Sequence, residues 1–429
     1  MLKPEKTLGN TDWFVKDRFG LFIHFGLYAL PARHEWVRNK EEISNEDYQK
    51  YFDHFNPDLL DPKEWARIAK KAGMKYFVIT TKHHDGFCLF DSKFTDYKST
   101  NTPYGKDILK ELIAAFREEG IKIGFYHSLI DWHHPEFTVD RLHPNRSNLK
   151  EREKNKDRDI KKYSEYLYNQ VQELMTNYGK VDILWFDFSY DRDEPKWEGE
   201  KGKGKNEWQS EKLLKMIREK MPEIIINDRL EIDQDLKTPE QFMPRNWVKV
   251  DGKPVVWESC QTLNTSWGYF RDLDEWKSSE LLVKMLIEGV SKGGNMILNV
   301  GPDARGRFEK KAIQRLEEIG DWMELHSKSI YNCTQSEFTP PENCYFTQNG
   351  KKLYLHILSW PLKQIHLDNM ADKIEYAQLL NDGSEIKMLT HENDIHAHMA
   401  EDIDKNTLTL LLPVQRPDVL VPVIELFLK

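Results

Sequence analysis

Polar side chains that could do chemistry stand at the ends of six short apolar runs. They are His24, His83, His84, Asp85, Tyr126, His127, Asp187, Asp228, Arg229 and Glu258. One polar residue at the end of a strand is commonly a cap or a loop contact, but six such ends favour a shared site. Carboxylates among imidazoles and a guanidinium suit the hydrolysis of a glycosidic bond, because that reaction needs two carboxyl groups. The other groups can then bind the hydroxyls of a sugar.

Histidines at strand ends also raise the alternative of a metal-dependent hydrolase. Zinc needs about three ligand side chains that face one point. His83 and His84 are adjacent, so in strand geometry their side chains would point to opposite faces. The sequence also has no phosphate-binding loop and no dinucleotide fingerprint. We therefore expect no metal and no cofactor, and we keep the metal-dependent barrel hydrolase as the alternative.

The elements that position these residues alternate along the chain up to about residue 330. Continuous apolar runs occupy residues 19–25, 76–81, 121–127, 181–188, 224–228, 255–258 and 296–300. Amphipathic segments lie between or after them at residues 63–72, 108–119, 160–178, 211–221, 280–291 and 310–326. This alternation predicts a parallel sheet covered by helices. We predict an α/β fold, a (β/α)8-like TIM barrel with one strand missed or irregular, and an open doubly wound sheet is the alternative. In such a barrel the carboxyl ends of the strands meet at the active face.

A change of pattern after residue 333 predicts a second domain. Short runs with strand character lie at residues 345–347, 353–357, 387–389, 407–412 and 421–427, and turn residues separate them. We predict a barrel over residues 1–333 and a small antiparallel β-sandwich over residues 334–429. Charged insertions at residues 143–158 and 191–206 are predicted to be exposed loops. The second one follows the fourth strand, so it would overhang the active face.

The bulk properties exclude several kinds of partner. The 429 residues include 62 basic and 71 acidic side chains, and the net charge of −9 argues against nucleic acid and anionic membranes. The sequence has no run of about 18 apolar residues and no segment that resembles a signal peptide. We expect a cytoplasmic protein whose four cysteines are reduced thiols. A homo-oligomer is compatible with its 13 Trp, 17 Tyr and 21 Phe.

Nine short segments, in order along residues 10–330, together resemble one known family. They are FGLFIHFG (19–26), HEW (34–36), TTKHHDGFCLF (80–90), YHSLIDW (126–132), LWFD (184–187), NDR (227–229), WESC (257–260), SWGY (266–269) and SKGGNMILNVGP (291–302). In this combination they are similar to the α-L-fucosidases of glycoside hydrolase family 29. The resemblance implies a retaining, exo-acting enzyme that releases L-fucose from fucosylated glycans or glycosides through a covalent fucosyl-enzyme.

The resemblance also implies a role for each matching residue. The nucleophile is the Asp of the pattern LW-x-D, which here is Asp187. Contacts with the hydroxyls of fucose are assigned to His24, Glu35, Trp36, His83, His84 and Tyr126. Trp185 and Trp267 would form the apolar wall beside the sugar, joined by Phe22. A non-catalytic fucose-binding protein is a third hypothesis, which the presence of Asp187 disfavours.

Two carboxylates compete for the role of general acid and base. Glu240 follows the NDR segment and resembles the acid position of bacterial relatives, whereas Glu258 is the last residue of the run VVWE. By position alone Glu258 is the better placed. We favour Glu240, with Arg229 nearby to hold the carboxylates, and keep Glu258 as the alternative.

Overall fold

The computed structural model describes residues 3–190, 202–394, 396 and 403–429. The strands of its first part are β1 (Phe19–Ile23), β2 (Tyr76–Lys82), β3 (Lys122–Ser128), β4 (Ile183–Asp187), β5 (Ile225–Ile226), β6 (Lys249–Val250), β7 (Lys253–Pro254), β8 (Glu258–Thr262) and β9 (Asn295–Val300). Seven of them form one parallel sheet in the order β5-β4-β3-β2-β1-β9-β8, and β6 and β7 form a separate hairpin. The predicted barrel-like α/β fold is confirmed.

Helices fill the connections between the parallel strands. They are α1 (Phe14–Asp17), α2 (Val37–Lys40), α3 (Asn45–Asp53), α4 (Pro62–Lys71), α5 (Ile108–Glu118), α6 (Leu149–Glu153), α7 (Ile160–Asn177), α8 (Ser210–Lys220), α9 (Ser279–Ser291) and α10 (Lys310–His326). The start of α4 shows why they form where they do, since the Asp61 side chain accepts from the N–H groups of Lys63 and Glu64 while Pro62 occupies the first turn. Helix α5 packs on the sheet through Phe116, whose ring stacks on Phe77 of β2 at 3.8 Å.

An irregular segment, residues 236–241, closes the sheet between β5 and β8, and we call it the closing segment. The N–H of Lys237 donates to Val256 O at 3.0 Å, and its carbonyl accepts from Glu258 N at 2.9 Å. Further along, the N–H of Cys260 donates to Pro239 O at 3.0 Å. Through these bonds the closing segment runs parallel to β8. It takes the place of the irregular strand that the sequence left unassigned. Pro239 has no N–H to donate, which explains the weak strand pattern.

The position of Glu258 corrects the sequence prediction. The run 255–258 is not a strand that ends on Glu258, because β8 begins at Glu258 and continues to Thr262. Residues 258–262 are small or polar but all buried, so their strand character does not show as an apolar run. Glu258 pairs in register with Asn295, the first residue of β9. The carboxylate therefore lies at the amino end of the barrel strands, opposite the active face.

The C-terminal part consists of two antiparallel sheets. Its strands are β10 (Thr334–Gln335), β11 (Cys344–Asn349), β12 (Lys352–Ile357), β13 (Gln364–Leu367), β14 (Ile374–Leu379), β15 (Lys387–Thr390), β16 (Leu408–Leu411) and β17 (Val423–Leu428). The sheets have the orders β10-β11-β12-β17-β14 and β13-β16-β15. The predicted antiparallel sandwich is confirmed, although the sequence analysis missed β10, β13 and β14. The domain boundary at residue 333 stays a prediction, because Tyr354, Val421 and Val423 belong to the same buried cluster as the barrel core.

Several other expectations can be compared with the described residues. The predicted loop 143–158 contains α6 and a 3-10 turn at Pro144–Ser147. Of the predicted loop 191–206, residues 191–201 lie outside the described part of the chain. All four cysteines are free thiols and buried. Within the described ranges, the helices are all too short or too polar to cross a membrane.

Candidate active site

A pocket opens at the carboxyl ends of the barrel strands. Its lining consists of Phe22, His24, Trp36, His83, His84, Tyr126, Trp185, Asp187, Phe188, Arg229, Glu240 and Trp267. The floor is fully buried and contains Phe22, His24, His83, His84, Tyr126 and Trp185. The rim is at least partly open to solvent and contains Trp36, Asp187, Phe188, Arg229, Glu240 and Trp267. The fold thus joins eleven of the thirteen residues predicted for the site, and Glu35 and Glu258 are the two that do not line the pocket.

Asp187 is the carboxylate at the centre of this pocket. It is the last residue of β4, whose apolar residues Ile183–Phe186 are buried, so its side chain emerges from the sheet at the active face. Oδ2 accepts from the Tyr126 hydroxyl at 2.7 Å, and Oδ1 accepts from Nη1 of Arg229 at 3.2 Å. Burial raises the pKa of Asp187 to about 6, although Arg229 opposes that shift.

Arg229 connects Asp187 to a second carboxylate. Its Nη2 donates to Oε2 of Glu240 at 3.1 Å, while Nη1 holds Asp187. Thr238 of the closing segment orients the guanidinium, since its hydroxyl accepts from Nε at 3.2 Å and its carbonyl accepts from Nη2 at 3.3 Å. The guanidinium also lies over the ring of Trp185, with 5.2 Å between its carbon and the ring centroid. One cation therefore holds a buried carboxylate and a solvent-accessible one at the same pocket.

The closing segment is what brings Glu240 to the active face. Glu240 forms a parallel bridge with Cys260 in the middle of β8, and Gln241 N donates to Cys260 O at 3.0 Å. The segment thus runs beside β8 up to Glu240, whose side chain is 40% exposed. Glu240 stands on the barrel wall and is not carried by a free loop.

Three neutral histidines line the floor. His24 donates from Nδ1 to Asn299 Oδ1 at 2.7 Å, and burial lowers the pKa of His24 to about 3. His84 donates from Nδ1 to Ser128 Oγ at 2.6 Å, because the Ser128 hydroxyl hydrogen is already given to Ile130 O. Burial also lowers the pKa values of His83 and His84. In both His24 and His84, Nε2 is left as an acceptor suited to a sugar hydroxyl.

His83 and His84 do not have the strand geometry that would turn their side chains to opposite faces. Both side chains line the pocket, and their ring centroids are 4.0 Å apart. Strand β2 ends at Lys82, and the chain turns at residues 84–85. The alternation of side chains in a strand therefore no longer applies to the two histidines.

Aromatic rings form the apolar wall of the pocket. The Phe22 ring lies 5.4 Å from Trp185 and 5.9 Å from Trp267, measured between centroids. Trp185 stacks on Tyr126 with 5.9 Å between centroids and 19° between planes. The rings meet around one concave surface, which suits the apolar face and the methyl group of a deoxy sugar.

Glu35 lies behind this wall instead of in it. Its buried Oε2 accepts from the backbone N–H groups of Trp267 at 3.1 Å and Gly268 at 2.8 Å, and from the Ser266 hydroxyl at 3.3 Å. Its Oε1 lies 3.1 Å from Nδ1 of His34. Burial raises the pKa of Glu35 to about 7. In this structure Glu35 fixes the loop that carries Trp267.

Glu258 and three other strand-end residues lie away from the pocket. The Glu258 carboxyl is buried beneath the floor, where it accepts from the Tyr76 hydroxyl, and burial raises its pKa to about 8. Asp85 accepts from the Tyr48 hydroxyl at 3.1 Å. His127 contacts Thr81 at 2.9 Å on the outer side of the sheet, and Asp228 pairs with a lysine of the closing segment at 3.4 Å. A polar residue near a strand end is therefore not sufficient to place a side chain in the site.

Phe188 is the pocket residue that the sequence reasoning missed. It directly follows Asp187 and has a φ of +78°, a left-handed conformation that is rare for a bulky side chain. That conformation turns its ring to the rim of the pocket. Its adjacency to the predicted nucleophile was the signal that could have identified it.

The metal-dependent alternative would require a group of side chains that can bind a metal ion. Among the described residues, no three His, Cys, Asp or Glu side chains are grouped so that they could hold a metal ion. The imidazoles of His24, His83 and His84 instead line a pocket whose charged groups are Asp187, Arg229 and Glu240.

A barrel with two carboxylates joined by one arginine, neutral imidazoles and an aromatic wall defines a glycoside hydrolase. The comparisons with known proteins name the family. The family model "Alpha-L-fucosidase" matches residues 3–328, and the chain belongs to that family.

Individual relatives agree with this assignment over nearly the whole chain. The chain is similar to the structure of alpha-L-fucosidase isoenzyme 1 from Paenibacillus thiaminolyticus, with 46% identity, a TM-score of 0.90 and 98% of each chain covered. The Dictyostelium discoideum alpha-L-fucosidase is 27% identical over 97% of this chain and 91% of the relative. A third similar structure, with 28% identity and a TM-score of 0.83, covers 100% of this chain and 98% of the other. It is a family 29 alpha-L-fucosidase from Bacteroides thetaiotaomicron, trapped as a covalent intermediate with 2-fluoro-fucosyl fluoride in a glutamate-to-glutamine mutant.

Proposed function

We propose that this protein is a retaining, exo-acting α-L-fucosidase in which Asp187 is the nucleophile and Glu240 is the general acid and base. The observation that carries the proposal is the fork of Arg229, which donates to Asp187 at 3.2 Å and to Glu240 at 3.1 Å over one pocket. Retaining glycosidases need two carboxyl groups close together, about 5–5.5 Å apart. The covalent intermediate of the Bacteroides relative supports the same mechanism.

In the first step an oxygen of Asp187 attacks C1 of the fucose. The bond from C1 to the leaving oxygen breaks, and Glu240 gives its proton to that oxygen. Asp187 is suited to the attack because only 15% of its side chain is exposed, which limits its solvation. Tyr126 and Arg229 hold the carboxylate in one orientation. Glu240 is suited to the proton transfer because its exposed side chain stands on the rim, where the leaving group must exit.

In the second step Glu240 removes a proton from water. The water oxygen forms a bond with C1, the ester bond to Asp187 breaks, and the Asp187 carboxylate is restored. Arg229 and the Tyr126 hydroxyl stabilise the negative charge that returns to this carboxylate. Two inversions give net retention.

The depth of the pocket supports exo action. Its floor consists of buried side chains, so the site is closed below and accepts a chain end instead of an internal residue. Acceptor nitrogens of His24 and His84 are available to hydroxyl groups. The apolar wall of Phe22, Trp185 and Trp267 offers a complementary surface to the C5 methyl group of fucose.

Proton NMR of the hydrolysis of an aryl α-L-fucoside tests this proposal. α-L-Fucose should form first, and β-fucose should follow only by mutarotation. An Asp187→Asn variant should lose turnover, whereas Asp182→Asn should stay close to wild type, since Asp182 directly precedes β4 at its opposite end. First appearance of β-fucose, or wild-type turnover by Asp187→Asn, would contradict the mechanism. Loss of activity after extended chelation would favour the metal-dependent alternative.

A second experiment separates Glu240 from Glu258. General acid catalysis is typically worth about 10²–10⁴-fold and matters most for poor leaving groups. Glu240→Ala should therefore lose hydrolysis of natural fucosides but keep formation of the fucosyl-enzyme from a dinitrophenyl fucoside. Azide should restore turnover and give α-fucosyl azide, because it needs no general base. Glu258→Ala should show neither effect, and the reverse result would transfer the role to Glu258.

We also propose that the enzyme acts in the cytoplasm. The four free, buried cysteines support this location, because thiols persist in a reducing compartment. Fractionation of the source cells followed by a fucosidase assay tests the proposal, and activity confined to an external fraction would overturn it.

A further inference from the structure

The backbone turns sharply at Phe188, immediately after Asp187. The chain is fixed on both sides of this turn. On one side, Asp187 O accepts from Leu129 N at 3.0 Å. On the other side, the Ser189 hydroxyl donates to Arg229 O at 2.6 Å and accepts from Trp208 Nε1 at 3.0 Å. Residue 188 alone must therefore accommodate the change of direction, and it does so with a φ of +78°.

A left-handed backbone is unfavourable for phenylalanine, so its surroundings must maintain it. The Phe188 ring is wedged among three others, with centroid distances of 5.2 Å to Trp36, 5.3 Å to His84 and 5.8 Å to Tyr190. Trp36 is itself supported from behind by Trp132 at 5.2 Å. If the ring were removed, the wedge would be lost and residue 188 would be free to relax.

The turn at Phe188 affects the position of the Asp187 carboxylate. Tyr126 and Arg229 hold this carboxylate in place by hydrogen bonds. The neighbouring backbone N–H of Phe188 also lowers the pKa of Asp187, in opposition to the effect of burial. Because the chain is fixed on both sides, a different φ at residue 188 would require a compensating rotation of the Asp187–Phe188 peptide, and that rotation would turn the N–H and shift the carboxylate.

We propose that Phe188 is a positioning residue for the nucleophile: its wedged ring holds residue 188 in the left-handed conformation that fixes the Asp187 carboxylate against Tyr126 and Arg229. This inference rests on the proposed role of Asp187. The Phe188 ring would act through the backbone and would not contact the reacting atoms.

A matched pair of substitutions separates the backbone effect from loss of the ring. Phe188→Gly and Phe188→Ala both remove the ring, but only glycine adopts positive φ without a steric cost. We expect Phe188→Ala to form the fucosyl-enzyme from a dinitrophenyl fucoside more slowly than Phe188→Gly, by about threefold or more. The acid limb, the fall of kcat/KM at low pH, should lie at higher pH for Phe188→Ala than for Phe188→Gly. The reason is that the N–H of residue 188 lowers the pKa of Asp187.

A second pair keeps the wedge filled in case the small side chains prevent folding. The Leu and Ile side chains are isomers of similar volume, but the β-branched Ile has the higher energetic cost at a positive φ. Phe188→Ile should therefore show slower fucosylation than Phe188→Leu, and its acid limb should lie at higher pH. Equal rates and equal acid limbs within both pairs would overturn the inference and leave Phe188 as an apolar filler. Failure of the proposed function is a separate outcome, since it would appear as turnover by Asp187→Asn.

Discussion

Arg229 is the residue on which the charge balance of the pocket depends. Its guanidinium donates to Asp187 and to Glu240, so it lowers the pKa of Asp187, whereas Glu240 raises it. Burial outweighs both of these effects and brings the pKa of Asp187 to about 6. In the proposed mechanism Asp187 must be ionised to attack, so the activity below neutral pH reports on this balance.

We predict that kcat/KM for a dinitrophenyl fucoside falls below about pH 6, as Asp187 becomes protonated. Glu240→Gln removes a negative charge that raises the pKa of Asp187, so the acid limb should move to lower pH. Arg229→Met removes the cation that lowers this pKa, so the limb should move to higher pH. Profiles of the three proteins measure these shifts. If neither substitution moves the limb, it belongs to another group.

Glu258 has a different physical role, as a carboxyl group that stays neutral in the folded protein. Burial raises its pKa from an ordinary value of 4.5 to about 8, while the Tyr76 hydroxyl donates to it. Between pH 4.5 and about pH 8, Glu258 is deprotonated in the unfolded chain but protonated in the folded protein. The stability associated with Glu258 is thus fully present below pH 4.5 and is lost progressively as the pH rises toward 8.

We predict that the free energy of unfolding of wild type, relative to Glu258→Gln, falls by about 1.4 kcal/mol per pH unit through this window. Urea unfolding at pH 5, 6 and 7 measures the difference, since Gln cannot ionise. A constant difference between the two proteins would mean that Glu258 has no raised pKa in the folded state.

At the scale of elements, a buried carboxylate anchors the loop that carries Trp267. Glu35 accepts two backbone N–H groups and one hydroxyl from residues 266–268, and its Oε2 takes all three bonds. No other carboxylate supports this loop in the hydrogen bonds of the described residues. The orientation of the Trp267 wall therefore follows from a residue on the connection between β1 and β2.

We predict that Glu35→Ala raises KM by about tenfold and lowers the free energy of unfolding by about 1–3 kcal/mol, because buried N–H groups lose their acceptor. Glu35→Gln retains an acceptor oxygen and should have a smaller effect on both quantities. Steady-state kinetics and urea unfolding measure the two effects. Unchanged KM in Glu35→Ala would show that Trp267 keeps its orientation without this anchor.

The elements also show which predictions a local pattern supports. The parallel strands β1 to β4 and their helices follow from apolar runs and amphipathic periods, because burial on both faces makes such strands continuously apolar. The closing segment and β8 do not follow from such a pattern. One contains Pro239, and the other is the buried but polar sequence ESCQT. Their pairing depends on backbone bonds such as Cys260 N to Pro239 O at 3.0 Å, which composition does not specify.

At the scale of the whole molecule, the barrel and the C-terminal sheets share a buried interface. Trp322 of α10 donates from Nε1 to Val421 O at 2.8 Å, and its ring stacks on His326 at 4.9 Å. Across the same interface, the Thr347 hydroxyl donates to Ser329 O at 2.7 Å. Because buried side chains from both parts form one cluster, neither part is expected to lose its structure alone.

We therefore predict a single cooperative thermal transition for the full chain. Trp322→Ala should lower the free energy of unfolding by about 3–5 kcal/mol, as is typical for loss of a buried Trp side chain, and the single transition should remain. Calorimetry measures the transition, and the fucosidase activity of the folded protein at low temperature serves as the control. Two separate transitions in the wild-type protein would contradict a shared core.

The barrel, the sandwich and most of the candidate site could be predicted from the amino-acid sequence. The resemblance to the family identified five of the eleven predicted residues that line the pocket, and the other six are polar residues at the ends of apolar runs. This succeeds because the period and length of an apolar run reflect burial, which is a local property of the chain. The order of the runs then assigns their carboxyl ends to one face.

The depth, the partners and the orientation of these side chains depend on contacts between segments that are remote in the chain. The tertiary structure placed Glu258 at the amino end of β8, Glu35 behind the Trp267 wall, and both His83 and His84 in the same pocket. It also joined Asp187 to Glu240 through Arg229, although 53 positions separate the two carboxylates in the chain. The physical reason is that direction and distance are set by backbone pairing between remote segments and by φ at single turns such as Phe188. Neither quantity is encoded in the local pattern of apolar and polar residues.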